Sequence, residues 1–283
     1  MTKTGFSLQP QYSLPTEKVM ELVAGAGFSA VSPAWTPGLD LEKTVACAAA
    51  NGMTVQSLHG PVMGIPLLWE PDAPGSGEAQ ARVLRCVDGC QRLQIPVMVL
   101  HGWQGIDYTF PEGPLDFRFF DTLVDYAGEK GVSVALENLE GEEYLDALLS
   151  RYGDQDHIGF CWDSGHDHCY PHKTDFLERF GPRLIMTHLN DNWGTRDPSG
   201  CPSGLDDLHF LPYDGSIPWE DTLRKLAKAP RQEILNFELK LRSHSQDPKD
   251  QPYTRLPLED YLQEAGRRAR RIARLYEKMM DNR

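Results

Sequence analysis

The sequence lacks the features that would place the protein in a membrane or outside the cell. No apolar run approaches the ~20 residues that a membrane-spanning helix needs. The beginning, MTKTGFSLQP, has no charged stretch followed by an apolar one, so we expect a cytoplasmic protein without a secretion signal. The six cysteines form no CxxC pair, and in that compartment we expect reduced thiols rather than a disulfide framework.

Positive charge is also scarce. Lys and Arg number 28 against 41 Asp and Glu, which gives a net charge of −13. Because proteins that bind DNA or RNA normally neutralise phosphates with basic residues, this balance argues against a nucleic acid partner. Basic residues do cluster in GRRARRIARLYEK, residues 266–278, but apolar residues recur there at helical spacing. We interpret this segment as the solvated face of a terminal helix.

The chain alternates short segments rich in β-branched and aromatic residues with longer segments of helical periodicity. Eight segments are predicted strands: TGFSL, FSAVSPAW, MTVQSLHG, IPVMVLHGW, VSVALEN, HIGFCWDS, LIMTHLND and EILNFELK. Such alternation favours a parallel sheet, because each crossover between parallel strands needs a helix. Eight units over this length fit a single (β/α)₈ TIM barrel, whose usual size is about 250 residues.

An open doubly wound sheet is the alternative α/β architecture. It often carries a GxGxxG phosphate loop after its first strand, and GFSLQPQYS contains none. No linker separates two domains, so we predict one TIM-barrel domain over residues 1–283. The long Pro- and Gly-rich loops at 66–78 and 192–207 each follow a predicted strand, where a lid would lie.

Ionisable residues stand at the end of six predicted strands. In a TIM barrel these ends meet at one face and supply the catalytic residues. The residues at the strand ends are His59, His101, Glu137, Asp163, His188 and Glu238. His166 follows Asp163 by three positions. The segment DDLH after the seventh strand adds Asp207 and His209.

Four of these residues predict a metal site. Glu137, Asp163, His188 and Glu238 lie in apolar sequence, where an isolated charge is strongly disfavoured. Their mixed oxygen and nitrogen donors suit a divalent ion and include no thiolate. We expect one ion, Mn²⁺ in the first place, with Zn²⁺, Co²⁺ or Mg²⁺ as alternatives.

Four motifs, ALEN, GFCWDSGH, THLND and FEL, occur in this order at the predicted strand ends. Together they resemble the xylose isomerase-like barrel superfamily over nearly the whole chain, and within it the sugar phosphate isomerase/epimerase branch. The resemblance implies a single metal on the four residues above, with Glu137 and Glu238 also acting as the acid/base pair. Around them we expect substrate contacts from five residues: His166, His101, His59, Trp103 and Arg196.

The predicted function is therefore a metal-dependent carbohydrate isomerase or epimerase that moves a proton next to a carbonyl through a metal-stabilised enediolate. The superfamily also contains abasic-site endonucleases with three zinc ions, and this chain has candidates for the additional ligands: His59, His101, His166, Asp207 and His209. The charge of −13 argues against that alternative. A lyase or dehydratase acting on a keto-sugar or inosose would use the same site. The expected partner is a small carbohydrate, without a membrane partner, and a homo-oligomer is left open.

Overall fold

Parallel β-strands form the centre of the molecule. The computed structural model describes residues 1–9 and 12–282. The described strands are β1 Lys3–Leu8, β2 Ala30–Pro33, β3 Thr54–Val55, β4 Ser57–His59, β5 Val97–His101, β6 Ser133–Glu137, β7 Ile158–Asp163, β8 Leu184–His188 and β9 Ile234–Phe237. They form two sheets of order β3-β2-β1-β9 and β4-β5-β6-β7-β8. Every pair of neighbours in these sheets is parallel.

The two sheets join into one barrel. The predicted third strand divides at Gln56, so that β3 pairs with β2 and β4 pairs with β5. At this seam Trp35 N donates to the His59 carbonyl at 2.8 Å. At the opposite seam Leu189 N donates to Asn236 O at 2.9 Å, and Glu238 N donates to Leu189 O at 3.2 Å. These bonds close the sheet, which confirms the predicted α/β TIM barrel and excludes the open doubly wound alternative.

The helices surround this barrel. Their bounds are α1 Thr16–Gly25, α2 Leu41–Ala50, α3 Ser76–Leu93, α4 Arg118–Lys130, α5 Glu142–Arg151, α6 Ser164–Cys169, α7 Phe176–Phe180, α8 Trp219–Leu226 and α9 Leu258–Asp281. Short 3₁₀ helices span Ile65–Leu68, Gly181–Arg183 and Pro248–Asp250. Within the described residues, every helix is too short or too polar to cross a membrane.

The basic segment at 266–278 lies on α9, as predicted. Ala269, Ile272 and Ala273 are buried against the barrel, whereas Arg267 pairs with Glu264 at 2.6 Å on the outer face. Since apolar residues three and four positions apart share one face of a helix, α9 packs along that stripe. The sequence interpretation of a solvated basic face is confirmed.

Candidate active site

The barrel strands direct one set of side chains into the barrel. A buried apolar layer takes one residue each from β5, β6, β7 and β8: Val99, Ala135, Cys161 and Met186. Side chains two residues apart on a strand lie on the same face of the sheet. The residues two positions further along therefore project into the same space above this layer. They are His101, Glu137, Asp163 and His188.

The predicted metal ligands lie together in this space. Glu137, Asp163, His188 and Glu238 each place a donor atom within 4.8 Å of the others. His188 Nδ1 lies 2.7 Å from Glu137 Oε1 and 2.9 Å from Glu238 Oε2. Glu137, Asp163 and His188 are buried, and 13% of the Glu238 side chain is exposed. The four residues form one group, which we call the central group.

Two further groups adjoin the central group. In the first, His59 Nε2 and His101 Nε2 each lie 3.2 Å from Glu137 Oε2, so Glu137 belongs to this group as well as to the central group. The second joins His166 with Asp207 and His209, which follow β8 on the long loop. There His209 Nε2 is 2.9 Å and His166 Nε2 is 3.6 Å from Asp207 Oδ2.

Three of the histidines are oriented in the same way. Nδ1 of His59 donates to the Gly60 carbonyl at 2.9 Å, and Nδ1 of His166 donates to the Asn138 carbonyl at 2.8 Å. Nδ1 of His209 donates to the carbonyl of Glu238 at 3.0 Å. In each ring the other nitrogen faces a carboxylate. Histidines that bind metals are commonly held by such a bond from the second ring nitrogen.

Burial and neighbouring charges shift the pKa values of these groups in opposite directions. Burial alone would raise the pKa of Glu137, but the imidazoles around it, His188 foremost, lower it well below its usual value. Burial lowers the pKa of His188, but Cys161 and the carboxylates of Glu137 and Glu238 together raise it well above its usual value. The pKa of Asp207 is likewise lowered and that of His166 raised. At Asp163 burial prevails, and the pKa is raised.

The donor atoms fit a divalent cation. Several of them are buried and make no hydrogen bond of good geometry among the described residues, although Glu137 Oε2 and His101 Nε2 are 3.2 Å apart: Glu137 Oε2, both ring nitrogens of His101, His188 Nε2 and Asp207 Oδ1. Unpaired buried polar atoms are rare in folded proteins, and a bound ion satisfies them. Burial raises the pKa of Cys161, which lies within reach of the central group, to about 12. In the metal-free protein Cys161 is therefore a neutral thiol, and the three groups themselves consist of carboxylates and imidazoles.

A cleft of about 400 Å³ opens above the three groups. Trp35, Val62 and Leu139 form apolar parts of its wall. Lys240 also lines the cleft and brings a positive charge to it. At its edge Gln9 Nε2 donates to Glu238 Oε1 at 3.3 Å. Pockets for small molecules commonly combine apolar walls with a few polar groups in this way.

Three of the five predicted substrate contacts line the cleft, and two do not. His59, His101 and His166 line the cleft. Trp103 does not: its ring stacks on Tyr144 with centroids 4.3 Å apart, and Nε1 donates to Gly105 O at 3.0 Å. This packing holds the ring away from the cleft, and the substrate contact of Trp103 stays a prediction.

Arg196 also lies outside the lining of the cleft. Its guanidinium pairs with Asp206 at 2.6 Å and with Asp250 at 2.8 Å, and both carboxylates are buried. The two ion pairs of Arg196 thus connect the loop after β8 with the chain after β9. Sequence proximity to the site indicated a substrate contact, but the two aspartates, one of them 54 residues away, occupy the side chain.

Sequence reasoning missed several residues of the site. Gln9 and Lys240 contribute to the cleft, and Asn138 and Asn190 contact Asp163. Asn138 directly follows Glu137 in ALEN, and Asn190 lies two residues after His188 in THLND. A polar residue adjoining a ligand at a buried strand end is the signal that could have identified them.

Comparisons with known proteins agree with this architecture. The family model described as "Xylose isomerase-like TIM barrel" matches residues 20–270. The y4fM protein of Sinorhizobium fredii, which is described as uncharacterized, is 38% identical over 129 residues. That match covers 43% of this chain and 38% of the length of the relative.

Solved structures share the fold at low sequence identity. D-Psicose 3-epimerase from Clostridium cellulolyticum H10, solved with D-tagatose, has a TM-score of 0.66 at 15% identity, with 98% of this chain and 99% of that chain covered. L-Ribulose 3-epimerase has a TM-score of 0.70 at 12% identity, with 100% and 97% covered. Mannonate dehydratase from Streptococcus suis serotype 2 has a TM-score of 0.62 at 14% identity, with 99% and 94% covered. Because the family model matches most of the length of the chain, this chain belongs to the xylose isomerase-like TIM barrel family.

Proposed function

We propose that the protein is a divalent-metal-dependent isomerase or epimerase of a small carbohydrate. The observation that carries this proposal is that two carboxylates, Glu137 and Glu238, lie together at Nδ1 of His188, and that Glu238 also lines the cleft. Proton transfer next to a carbonyl needs one group to take a proton from carbon and another to return it. The similarity to two ketose epimerases supports a sugar as the substrate.

The residues of the chain have distinct roles in this mechanism. Glu137, Asp163, His188 and Glu238 would hold the ion, which supplies positive charge that stabilises negative charge developing on the substrate oxygen. Glu238 is the more exposed glutamate and reaches the cleft, so its carboxylate is the better placed to accept a proton from carbon. His101 and His166 line the cleft and can donate hydrogen bonds to substrate hydroxyls.

Charge-neutral variants of the glutamates test the acid/base assignment. Glu238→Gln and Glu137→Gln preserve side-chain shape but remove the base, so kcat should fall about 10²- to 10⁴-fold. Glu143→Gln is a matched control, because Glu143 accepts a bond from Tyr108 outside the cleft and a glutamine oxygen can replace it. The assay is a screen of ketoses, inososes and 3-keto-glycosides with Mn²⁺, in which NMR detects isomerisation, elimination and exchange of carbon-bound hydrogen with deuterated solvent. Near-normal turnover by either active-site variant, with circular dichroism unchanged, would contradict the mechanism.

The same screen addresses a lyase or dehydratase function. Elimination follows the same proton abstraction when a leaving group lies β to the carbonyl, so the site by itself suits both reactions. Similarity to a mannonate dehydratase supports keeping this alternative. Product with a new double bond, instead of an epimer, would reassign the reaction while leaving the roles of Glu137 and Glu238 in place.

A second candidate function, cleavage of abasic DNA with three zinc ions, is favoured by the three adjacent groups of donors. Metal count bears on the substrate through charge. With the imidazoles counted as neutral, four carboxylates and one divalent ion sum to about two negative charges, whereas three ions bring the sum to about two positive charges. The first state suits a neutral sugar, and the second suits a phosphate, which Lys240 could also approach.

Elemental analysis distinguishes these two functions. One tightly bound ion per chain supports the isomerase, and three zinc ions per chain support the nuclease. The net charge of −13 remains the main argument for the first. Cytoplasmic location and a single domain over residues 1–283 also remain predictions.

A further inference from the structure

The predicted ligand Asp163 is held by bonds to its backbone as well as to its carboxylate. Asn138, at the end of the neighbouring strand, accepts a hydrogen bond from Asp163 N at 2.7 Å and donates one to Asp163 O at 2.9 Å. This pair of bonds fixes the peptide of Asp163 where β7 passes into α6. The direction of the carboxylate is left to other contacts.

Two donors reach the carboxylate, one on each oxygen. His166 N, in the first turn of α6, donates to Oδ1 at 2.7 Å. The side-chain amide of Asn190 donates to Oδ2 at 2.8 Å. Asn190 and Asp163 are fully buried, so water does not compete for either bond. Each oxygen therefore keeps capacity for a second partner, and the plane of the carboxylate is set by the two bonds together.

The surroundings of Asn190 are built to hold it. The Ser164 hydroxyl donates to Asn190 O at 2.8 Å and accepts from Asn190 N at 3.0 Å, which fixes the backbone on which the amide stands. Gly165 leaves the space that the amide fills, because a Cβ at this position would lie 1.8 Å from Oδ1 and 2.7 Å from Cγ of Asn190. Gly165 has no left-handed backbone conformation to explain its presence, so the close approach of Asn190 is the reason for glycine here.

We infer that Asn190 is a positioning residue, which orients Asp163 for metal binding and for which Gly165 keeps space. The inference rests on the proposed metal site, in which Asp163 is a ligand. Asn190 donates to the Asp163 carboxylate through its side-chain nitrogen, whereas its side-chain oxygen lies against Gly165. Residues that orient metal ligands typically change metal affinity 10- to 100-fold when removed.

Asn190→Ala is the first test, measured as the Kd for Mn²⁺ on full-length protein stripped of metal. We expect the Kd to rise about 10- to 100-fold. Asn192→Ala is the matched control: Asn192 is equally buried on the same loop, but its amide contacts Gly165 O and Gly194 N instead of a carboxylate. Its Kd should stay within about twofold of the wild type, since no ligand loses a bond. An equal loss in both variants would overturn the inference, because it would reflect general loosening of the loop.

A double-mutant cycle tests the role of Gly165. Gly165→Ala alone should weaken Mn²⁺ binding as much as Asn190→Ala, because the new methyl group displaces the amide. In the Asn190→Ala background the overlapping atoms are gone, so adding Gly165→Ala should cause little further loss. Additive losses would show that Gly165 acts independently of Asn190 and would overturn that part of the inference.

A measurement without metal separates this inference from the proposed function. If Asn190 orients the carboxylate, its loss frees Asp163 to rotate and weakens the bond from His166 N. The amide hydrogen of His166 should then exchange about tenfold faster in Asn190→Ala than in the wild type. Failure of the wild type to bind any divalent ion would refute the proposed metal site but leave this comparison decisive. Unchanged exchange would refute the positioning role even if metal binds.

Discussion

Metal binding should raise the thermal stability of the protein by an amount that depends on Glu238. The central group concentrates three carboxylates and an imidazole in a buried space, and a ligand that binds only the folded state stabilises it by mass action. At a free Mn²⁺ concentration 100 times the Kd, the gain is about 2.7 kcal/mol. For a chain of 283 residues 1 kcal/mol shifts Tm by about 2 °C, so we expect a rise of roughly 5 °C.

Glu238→Gln removes one of the four ligands of the central group. If the Kd rises about 100-fold, the same Mn²⁺ concentration equals the new Kd, and the gain falls to about 0.4 kcal/mol, or roughly 1 °C. The Glu143→Gln control, outside the cleft, should retain the full shift. Differential scanning fluorimetry of metal-stripped protein against a Mn²⁺ titration measures all three.

The shift should also depend on pH with a defined sign. The pKa of His188 and the pKa of Asp163 are both raised, so each group takes up a proton more readily than usual as the pH falls. The ion must displace these protons, and the gain in Tm should therefore be larger at pH 8 than at pH 6. The reasoning is refuted if none of Mn²⁺, Zn²⁺, Co²⁺ and Mg²⁺ shifts Tm, or if Glu238→Gln responds as strongly as the wild type.

Two further substitutions test the electrostatic and structural assignments. Burial raises the pKa of Asp167 to about 6, so the folded state binds the proton more tightly than the unfolded state, and stability is lost as the pH rises from about 4 through 6. Asp167→Asn should therefore raise the free energy of unfolding by roughly 2–3 kcal/mol at pH 7.5 but little at pH 4; equal effects at both values in urea denaturation would contradict this. Arg196→Ala should lower stability by about 2 kcal/mol, less than for a fully buried ion pair because the arginine is partly exposed. Its KM on a substrate found in the screen should stay near the wild-type value, and a large rise in KM would restore Arg196 as a substrate contact.

Part of this site could be predicted because it depends on neighbours along the chain. Alternation along a strand places Glu137 above Ala135 and Asp163 above Cys161, and parallel strands bring their carboxyl ends to one face. A residue at the end of an apolar strand can therefore be assigned to the site from the amino-acid order alone. The same local logic predicted α9 and the number of barrel units.

Other features depended on contacts between distant segments. The division of the third strand at Gln56 follows from its pairing with a different neighbour on each side, which no local pattern records. Trp35 lines the cleft and Trp103 does not, although both follow predicted strands. The direction of a large side chain after a strand is decided by what packs against it, here Tyr144 on α5.

The sequence by itself determined the barrel, the face that carries the site and the types of donor atom, because strand periodicity and the order of elements are local properties. Only the tertiary structure decided that the donors form three adjacent groups, that Arg196 forms ion pairs between two loops, and that Asn190 donates to the carboxylate of Asp163. These outcomes depend on distances of a few ångströms between residues on different elements. Spacing along the chain carries no information at that scale.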